Sequence, residues 1–168
     1  MKSAVATGLP APRAPIEWAT LADGILYTAQ IPLKADGTIE TGPIGVQAEL
    51  TLSNLKRTVE AAGGTMADVA QVLVYLPHAE DFPGMNEVYA RYFPKPYPNR
   101  ATIVAQLMVP GARIEIVAYA HIGGRAKTTA RRATTRSRTA ARAKPAARAS
   151  AKAPRSRPKG KARRSPRR

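Results

Sequence analysis

The sequence contains no cysteine in its 168 residues. This absence excludes disulfides, thiolate nucleophiles and cysteine-ligated metals, and it leaves the redox compartment open. The only two histidines, His78 and His121, are too far apart in the chain for a metal-ligand spacing, so we expect no metal site. No run of about 18 apolar residues occurs, so we expect no membrane span. The N-terminal run, broken by Gly8 and Pro10, does not fit a signal peptide.

Acidic residues are missing from the end of the chain. All eleven lie at or before Glu115, whereas eighteen of the 27 lysines and arginines follow Gly124. The first 124 residues therefore carry a formal charge of −2 and the last 44 carry +18. The net charge of +16 is thus a property of the C-terminal segment, and the preceding domain is nearly neutral.

Residues 125–168 have no aromatic side chain and no aliphatic side chain larger than alanine. Such a segment cannot bury enough surface to offset the entropy of folding, so 123–168 is predicted to be a disordered polybasic tail. Release of counterions would drive binding to DNA or RNA without sequence specificity. The alternative is a tail that binds anionic surfaces, including membranes or ribosomes, without a dedicated role. The cations expected to contact phosphates include Arg131, Arg132, Arg136, Arg138, Lys159, Lys161, Arg163 and Arg164.

Residues 1–15 are rich in proline and alanine and are predicted to be an irregular arm, and 16–122 form the folded domain. The dipeptide Asp23-Gly24 between two apolar runs indicates a hairpin, and Gly63-Gly64 ends an amphipathic pattern that indicates a helix. The expected order is ββ-α-β-α-ββ, with strands at 16–22, 25–31 and 69–76, helices from 44 to 62 and from about 80 to 93, and a final strand pair.

The final pair covers 98–107 and 113–120 and is predicted to be two adjacent strands joined by a turn at 109–112. Arg100 stands at the start of the first strand, and Glu115 lies within an otherwise apolar second strand. A carboxylate in such a strand is costly to bury unless it is paired or has chemistry to perform. Arg100 and Glu115 are therefore the leading catalytic candidates, and the alternative is that they form a structural ion pair with each other.

These elements predict an α+β fold: a two-layer mixed β-sheet with two helices on one face. The opposite face of the sheet would be left uncovered. An apolar face that is left bare on a domain of this size predicts self-association.

Residues 20–121 resemble the RidA/YjgF family of small trimeric imine/enamine deaminases. The segments that carry the resemblance keep the family's order and spacing, and they are 24–32, 47–55, 61–69, 81–89, 99–102 and 113–116. The resemblance implies a chorismate-mutase-like fold, a homotrimer and a pocket at each subunit interface.

The resemblance also implies the roles of individual residues. In the family, an arginine matching Arg100 holds the substrate carboxylate, a glutamate matching Glu115 positions the hydrolytic water, and an asparagine matching Asn86 shapes the site. Further substrate contacts are implied at Thr28 and Ala29, which match a serine-glycine pair, at Thr102, which replaces a cysteine, and at Trp18. The family's Tyr-Ser-Gln motif is absent, and Trp18 is the candidate replacement for its tyrosine.

The leading hypothesis is hydrolysis of 2-imino acids or enamines, with no cofactor or metal, by a protein whose tail binds nucleic acid. The alternatives are a non-catalytic ligand-binding trimer of RidA type and a nucleoid-associated protein that uses the domain to trimerise its tails. The expected location is the cytoplasm, and association with the nucleoid is the further expectation that the tail adds.

Overall fold

The computed structural model of the chain describes residues 1–123. Residues 124–168 of the predicted tail, with its eight phosphate-contacting candidates, lie outside the described residues. Within them, no helix is long and apolar enough to cross a membrane. In chain order the elements are β1 (Ser3–Ala4), β2 (Ala19–Ala22), β3 (Ile25–Gln30), α1 (Ile44–Ala61), a 3-10 turn (Met66–Asp68), β4 (Val69–Leu76), a 3-10 turn (Ala79–Asp81), α2 (Phe82–Tyr92), β5 (Asn99–Val104) and β6 (Glu115–His121).

The strands form one mixed sheet in the order β1-β2-β3-β6-β4-β5. Every pairing is antiparallel except that of β4 with β5, which is parallel. Because α2 connects β4 to β5, the chain returns to the same end of the sheet before β5 begins, and a parallel neighbour results. The prediction that β5 and β6 are adjacent is wrong, since β4 lies between them.

The predicted two-layer α+β architecture is confirmed. Alternate residues of the central strands are fully buried on the face that packs against the helices, among them Val72, Val74 and Ile116. Leu52 and Leu55 are fully buried on the matching face of α1. The other sheet face exposes apolar groups, including Tyr27, whose ring meets that of Tyr119 edge to face at 5.6 Å.

The predicted hairpin turn and the predicted glycine end of α1 are both confirmed. Asp23 and Gly24 both have positive φ, 51° and 77°, which is the geometry of a tight two-residue hairpin turn. Gly63 has φ 86°, and its N–H and that of Gly64 donate to carbonyls of the last turn of α1. The second helix is shorter than predicted, because a 3-10 turn precedes it and Pro83 stands in its first turn.

The N-terminal arm is less irregular than predicted. Ser3 and Ala4 pair with Leu21 and Thr20 and extend the sheet by one short strand. Farther along, the indole N–H of Trp18 donates to the carbonyl of Pro10 at 2.7 Å. This bond ties the arm to the start of β2.

Candidate active site

Arg100 lies on β5 and faces the helices. Its strand partner is Val72, a core residue, and its guanidinium packs against α2. Nη1 donates to the Asn86 side-chain carbonyl at 2.9 Å, and the guanidinium carbon lies 4.4 Å from the centre of the Tyr89 ring and 5.6 Å from that of Phe82. The hydrogen bond and the ring contacts together fix the plane of the guanidinium.

A cleft of about 390 Å³, here called the Arg100 cleft, opens beside this guanidinium and is lined by Asn86, Tyr89, Ala90, Tyr97, Pro98 and Arg100. Arg100 makes no ion pair with an acid of the described residues, so its remaining N–H donors are available to an anion. Burial raises the pKa of Tyr89 to about 12, so its phenol stays neutral at physiological pH. The cleft therefore presents a fixed positive charge with no acidic residue in its lining.

Glu115 begins β6 on the opposite sheet face, opposite Tyr75. It lines a cavity of about 780 Å³, here called the Glu115 cavity, formed with the arm around 10–18 and the loops around 29–39 and 108–110. Burial raises the pKa of the Glu115 carboxyl above its usual range. Within residues 1–123 this carboxylate has no hydrogen-bond or ion-pair partner, so it is free to act on a bound molecule or water.

Two buried polar side chains hold the loop that leads into Glu115. Gln47, fully buried on α1, donates to the carbonyls of Gly42 and Gly111 and accepts the backbone N–H of Arg113 at 2.7 Å. The Arg113 guanidinium forms a two-pronged pair with Asp81, which is only 3% exposed. A buried carboxylate requires such a partner, and the pair joins the start of β6 to the turn before α2.

Arg100 and Glu115 do not meet within one chain. Through β4, the register places Arg100 level with Ala118 of β6, two strands away, and Glu115 lies three residues before Ala118. Strand geometry therefore separates the Cα atoms of Arg100 and Glu115 by about 14 Å. Their side chains also lie on opposite faces of the sheet. The alternative that the two residues form a structural ion pair inside the chain is therefore wrong.

Three of the other predicted site residues lie in these two places, and Thr102 lines neither of them. Asn86 lies in the Arg100 cleft, whereas Ala29 and Trp18 line the Glu115 cavity. Thr102 lies two residues beyond Arg100 on the same face of β5, and its hydroxyl is buried with no hydrogen-bond partner among the described residues.

The side chain of Thr28 does not reach either place. It is buried on the helix-facing side, where its hydroxyl donates to the Trp18 carbonyl at 2.7 Å and accepts from Gln30 at 2.8 Å. Its β3 neighbour Ala29 faces the cavity instead, because successive strand residues alternate between faces. The predicted substrate contact of the Thr28 hydroxyl is thus corrected to a structural role.

Sequence reasoning missed Tyr89 and Gln47. An aromatic residue three positions after Asn86 on a helix is a signal that both could reach one partner, and this spacing could have identified Tyr89. Gln47 gave no comparable signal, since two of its three partners are backbone groups of Gly111 and Arg113, more than 60 residues later in the chain.

The family model described as endoribonuclease L-PSP matches residues 8–122 of this chain. The chain belongs to this family, the RidA/YjgF family. The match covers both the cleft and the cavity, so the two half-sites described above lie wholly within the family domain.

Solved structures of family members superpose on most of the chain. A putative endoribonuclease from Thermotoga maritima is 31% identical, with 74% of this chain and 100% of that chain covered and a TM-score of 0.69. A putative endoribonuclease L-PSP from Entamoeba histolytica is 29% identical, with coverages of 73% and 100% and a TM-score of 0.69. TdcF from Escherichia coli, with bound serine, is 27% identical, with coverages of 71% and 98% and a TM-score of 0.66.

Among residues 1–123, no group of three or more histidine and acidic side chains is arranged to hold a metal ion.

The raised pKa of Glu115 has a consequence for stability. Because the folded protein holds this proton more tightly than the unfolded chain, Glu115 contributes stability at acidic pH that is lost as the pH rises through its folded-state pKa. We predict that Glu115→Gln removes this loss and is more stable than the parent protein at neutral pH. Urea unfolding at fixed protein concentration, followed from pH 4 to 8, measures the difference.

Glu87→Gln is the matched control, because Glu87 lies exposed to solvent on α2. A Glu115→Gln protein whose stability follows the same pH profile as the parent protein and the control would contradict the burial of this carboxylate.

Proposed function

We propose that the protein hydrolyses 2-imino acids, or their enamine tautomers, to 2-oxo acids and ammonia at a site shared between two subunits. The observation that carries the proposal is that one family domain holds two incomplete sites: a fixed guanidinium whose cleft has no acid in its lining, and a Glu115 carboxylate that forms no ion pair within residues 1–123. A small anionic substrate needs both.

A homotrimer would bring the two half-sites together. Since Arg100 and Glu115 of one chain face opposite ways, only a second copy of the chain can bring a Glu115 carboxylate opposite an Arg100 guanidinium. The uncovered sheet face supports such an assembly, because it carries large apolar side chains in solvent: Tyr27 is 40% and Ile103 47% exposed. Burying these groups against another subunit would favour association.

In the proposed reaction, Arg100 binds the substrate carboxylate through its free donors. A two-pronged guanidinium–carboxylate contact fixes orientation as well as contributing affinity. Asn86 and Tyr89 act on the substrate through Arg100, because they hold the guanidinium in place.

Glu115 serves as general base from the neighbouring subunit. Its raised pKa places it nearer to neutral pH, where a base both accepts and returns a proton effectively. It takes a proton from water as the oxygen bonds to C2 of the protonated imine, which gives a carbinolamine. Glu115 returns that proton to the nitrogen, and the C–N bond breaks as ammonia leaves. The hydroxyl proton passes to Glu115 as the C2 carbonyl forms, and Glu115 then gives it to the departing ammonia, which restores the carboxylate. The residues supply every proton transfer of this scheme without a cofactor.

The proposal predicts distinct losses for the two residues. With 2-iminobutyrate generated in situ, Arg100→Ala should lower kcat/KM by about 10- to 150-fold, the equivalent of one charged hydrogen-bonded contact. Glu115→Gln should lower kcat by about 10²- to 10⁴-fold, as expected for a lost general base. Disappearance of the imine, followed against a no-protein reaction, measures both.

Arg57→Ala, on the exposed side of α1, is the control for loss of a surface arginine and should leave the rate unchanged. If the parent protein, Arg100→Ala and buffer alone all give the same rate, the deaminase proposal is wrong. That result would favour a non-catalytic ligand-binding trimer, the alternative to which the absence of the family's Tyr-Ser-Gln motif points.

For the polybasic segment 125–168 we propose binding to DNA or RNA through phosphate contacts alone. Its eighteen cations with no acid and no aromatic support electrostatic binding without base stacking. Three such segments on a trimer would add avidity wherever one nucleic acid reaches more than one of them. A nucleoid-associated protein that uses the domain only to trimerise these segments is the corresponding alternative.

Truncation at Gly124 tests this second proposal. We expect the full chain to bind duplex DNA with an affinity that falls by roughly 10³- to 10⁵-fold between 50 and 200 mM salt, as for 6–10 phosphate contacts. The truncated chain should lose most of the affinity and of the slope. A full-length variant with the segment's lysines and arginines replaced by glutamine separates charge from length. Equal affinity and slope for full and truncated chains would show the proposal to be wrong.

A further inference from the structure

The Glu115 cavity is much larger than hydrolysis requires. At about 780 Å³ it has twice the volume of the Arg100 cleft, and it falls within the size range of small-molecule sites. The water and the imine carbon need only the part beside the carboxylate. The remaining volume is available to the side chain that a 2-imino acid carries at C3 and beyond.

We propose that the Glu115 cavity is a specificity subsite that selects 2-imino acids with bulky apolar side chains over short ones. This inference rests on the proposed function and deepens it. The apolar lining of the cavity supports this inference. Most of its large side chains are apolar: Ile16, Trp18, Ile31, Leu33, Ile39 and Met108.

Trp18 makes the cavity more apolar than its indole alone would suggest. Its N–H already donates to the Pro10 carbonyl at 2.7 Å, so it has no donor left for a ligand. The ring therefore contributes contact surface only. The same bond fixes the arm against the cavity, because residues 10–14 form part of its lining.

The charged groups of the cavity argue against a second carboxylate on the substrate. Arg13 lies exposed in the lining, and the two acids Asp36 and Glu115 also line the cavity. Asp36 is exposed and accepts from the N–H and hydroxyl of Thr38 at 2.9 and 2.6 Å. With two acids against one exposed cation, a dicarboxylic substrate would meet net repulsion.

Two apolar side chains of the lining are in solvent in the single chain. Met108 is fully solvated at 91% exposure and Ile16 is 53% exposed. A ligand side chain that covers them removes apolar surface on both partners from water, and each added methylene of a substrate is worth about a fourfold gain in affinity when it is buried. A short side chain such as methyl leaves them uncovered.

Product analogues provide a direct test that does not depend on turnover. Trp18 is the only tryptophan of the chain and lines the cavity, so its emission reports occupancy. Binding of pyruvate, 2-oxobutanoate, 4-methyl-2-oxopentanoate and 2-oxoglutarate to the assembled full-length protein would be followed by this emission and by calorimetry. We expect 4-methyl-2-oxopentanoate to bind at least about tenfold more tightly than pyruvate, and 2-oxoglutarate to bind no better than pyruvate.

Two substitutions in the lining test whether the size preference arises in the Glu115 cavity. Met108→Glu introduces a charge into the lining at an exposed position, and Ile39→Asn introduces a polar group at a half-buried one. Both should weaken 4-methyl-2-oxopentanoate by about tenfold or more and pyruvate by less than about twofold. Val46→Glu, an exposed apolar residue of α1 outside the cavity, is the matched control and should change neither affinity.

The outcomes separate this inference from the deaminase proposal. Equal affinities for all four acids, tighter binding of 2-oxoglutarate, or no binding would overturn the inference. Turnover of imino acids without a size preference would do the same while leaving the deaminase proposal intact. A size preference in binding, abolished by Met108→Glu, together with no turnover of any imine would support the subsite and overturn the deaminase proposal.

Discussion

The parallel pairing of β4 with β5 is the constraint on which the candidate site depends. It places β4 between the strands that carry Arg100 and Glu115, and its register turns Arg100 toward α2. Asn86 and Tyr89 of that helix then fix the guanidinium. Glu115 begins a strand on the far side of β4 and faces the other way. One pairing therefore gives each chain two separate half-sites, and it makes assembly a requirement of the proposed chemistry.

Local signals were sufficient to predict much of the fold. The hairpin at Asp23-Gly24, the end of α1 at Gly63 and the whole of β4 are encoded by turn residues and apolar periodicity, which act over a few residues. The position of β5 was not predictable in this way, because strand order depends on how α2 crosses the sheet. The face occupied by Thr28 was also hidden, since both faces of β3 carry apolar residues and alternation alone does not say which is the inner one.

The sequence indicated Arg100 and Glu115 as candidates but not that one chain places them on opposite faces of the sheet. Arg100 and Glu115 stood out because burying a charge in an apolar strand costs free energy, which a partner or a chemical role must offset. Under the proposed function their separation within one chain matters as much as their identity, and the sequence pattern does not convey that separation. The groups that support them, Tyr89 beneath Arg100 and Gln47 behind the loop before Glu115, are ordinary core residues in the sequence and gain meaning only from contacts.

Complementation between inactive variants is the most direct test of a site divided between subunits. Arg100→Ala and Glu115→Gln would be unfolded, mixed in equal amounts and refolded, beside each variant refolded alone. Random assembly joins an intact Arg100 to an intact Glu115 at about a quarter of the interfaces, so a shared site should give roughly a quarter of the parent imine-hydrolysing activity in the mixture. A mixture no more active than the separately refolded variants, under conditions in which the refolded parent protein is active, would contradict it.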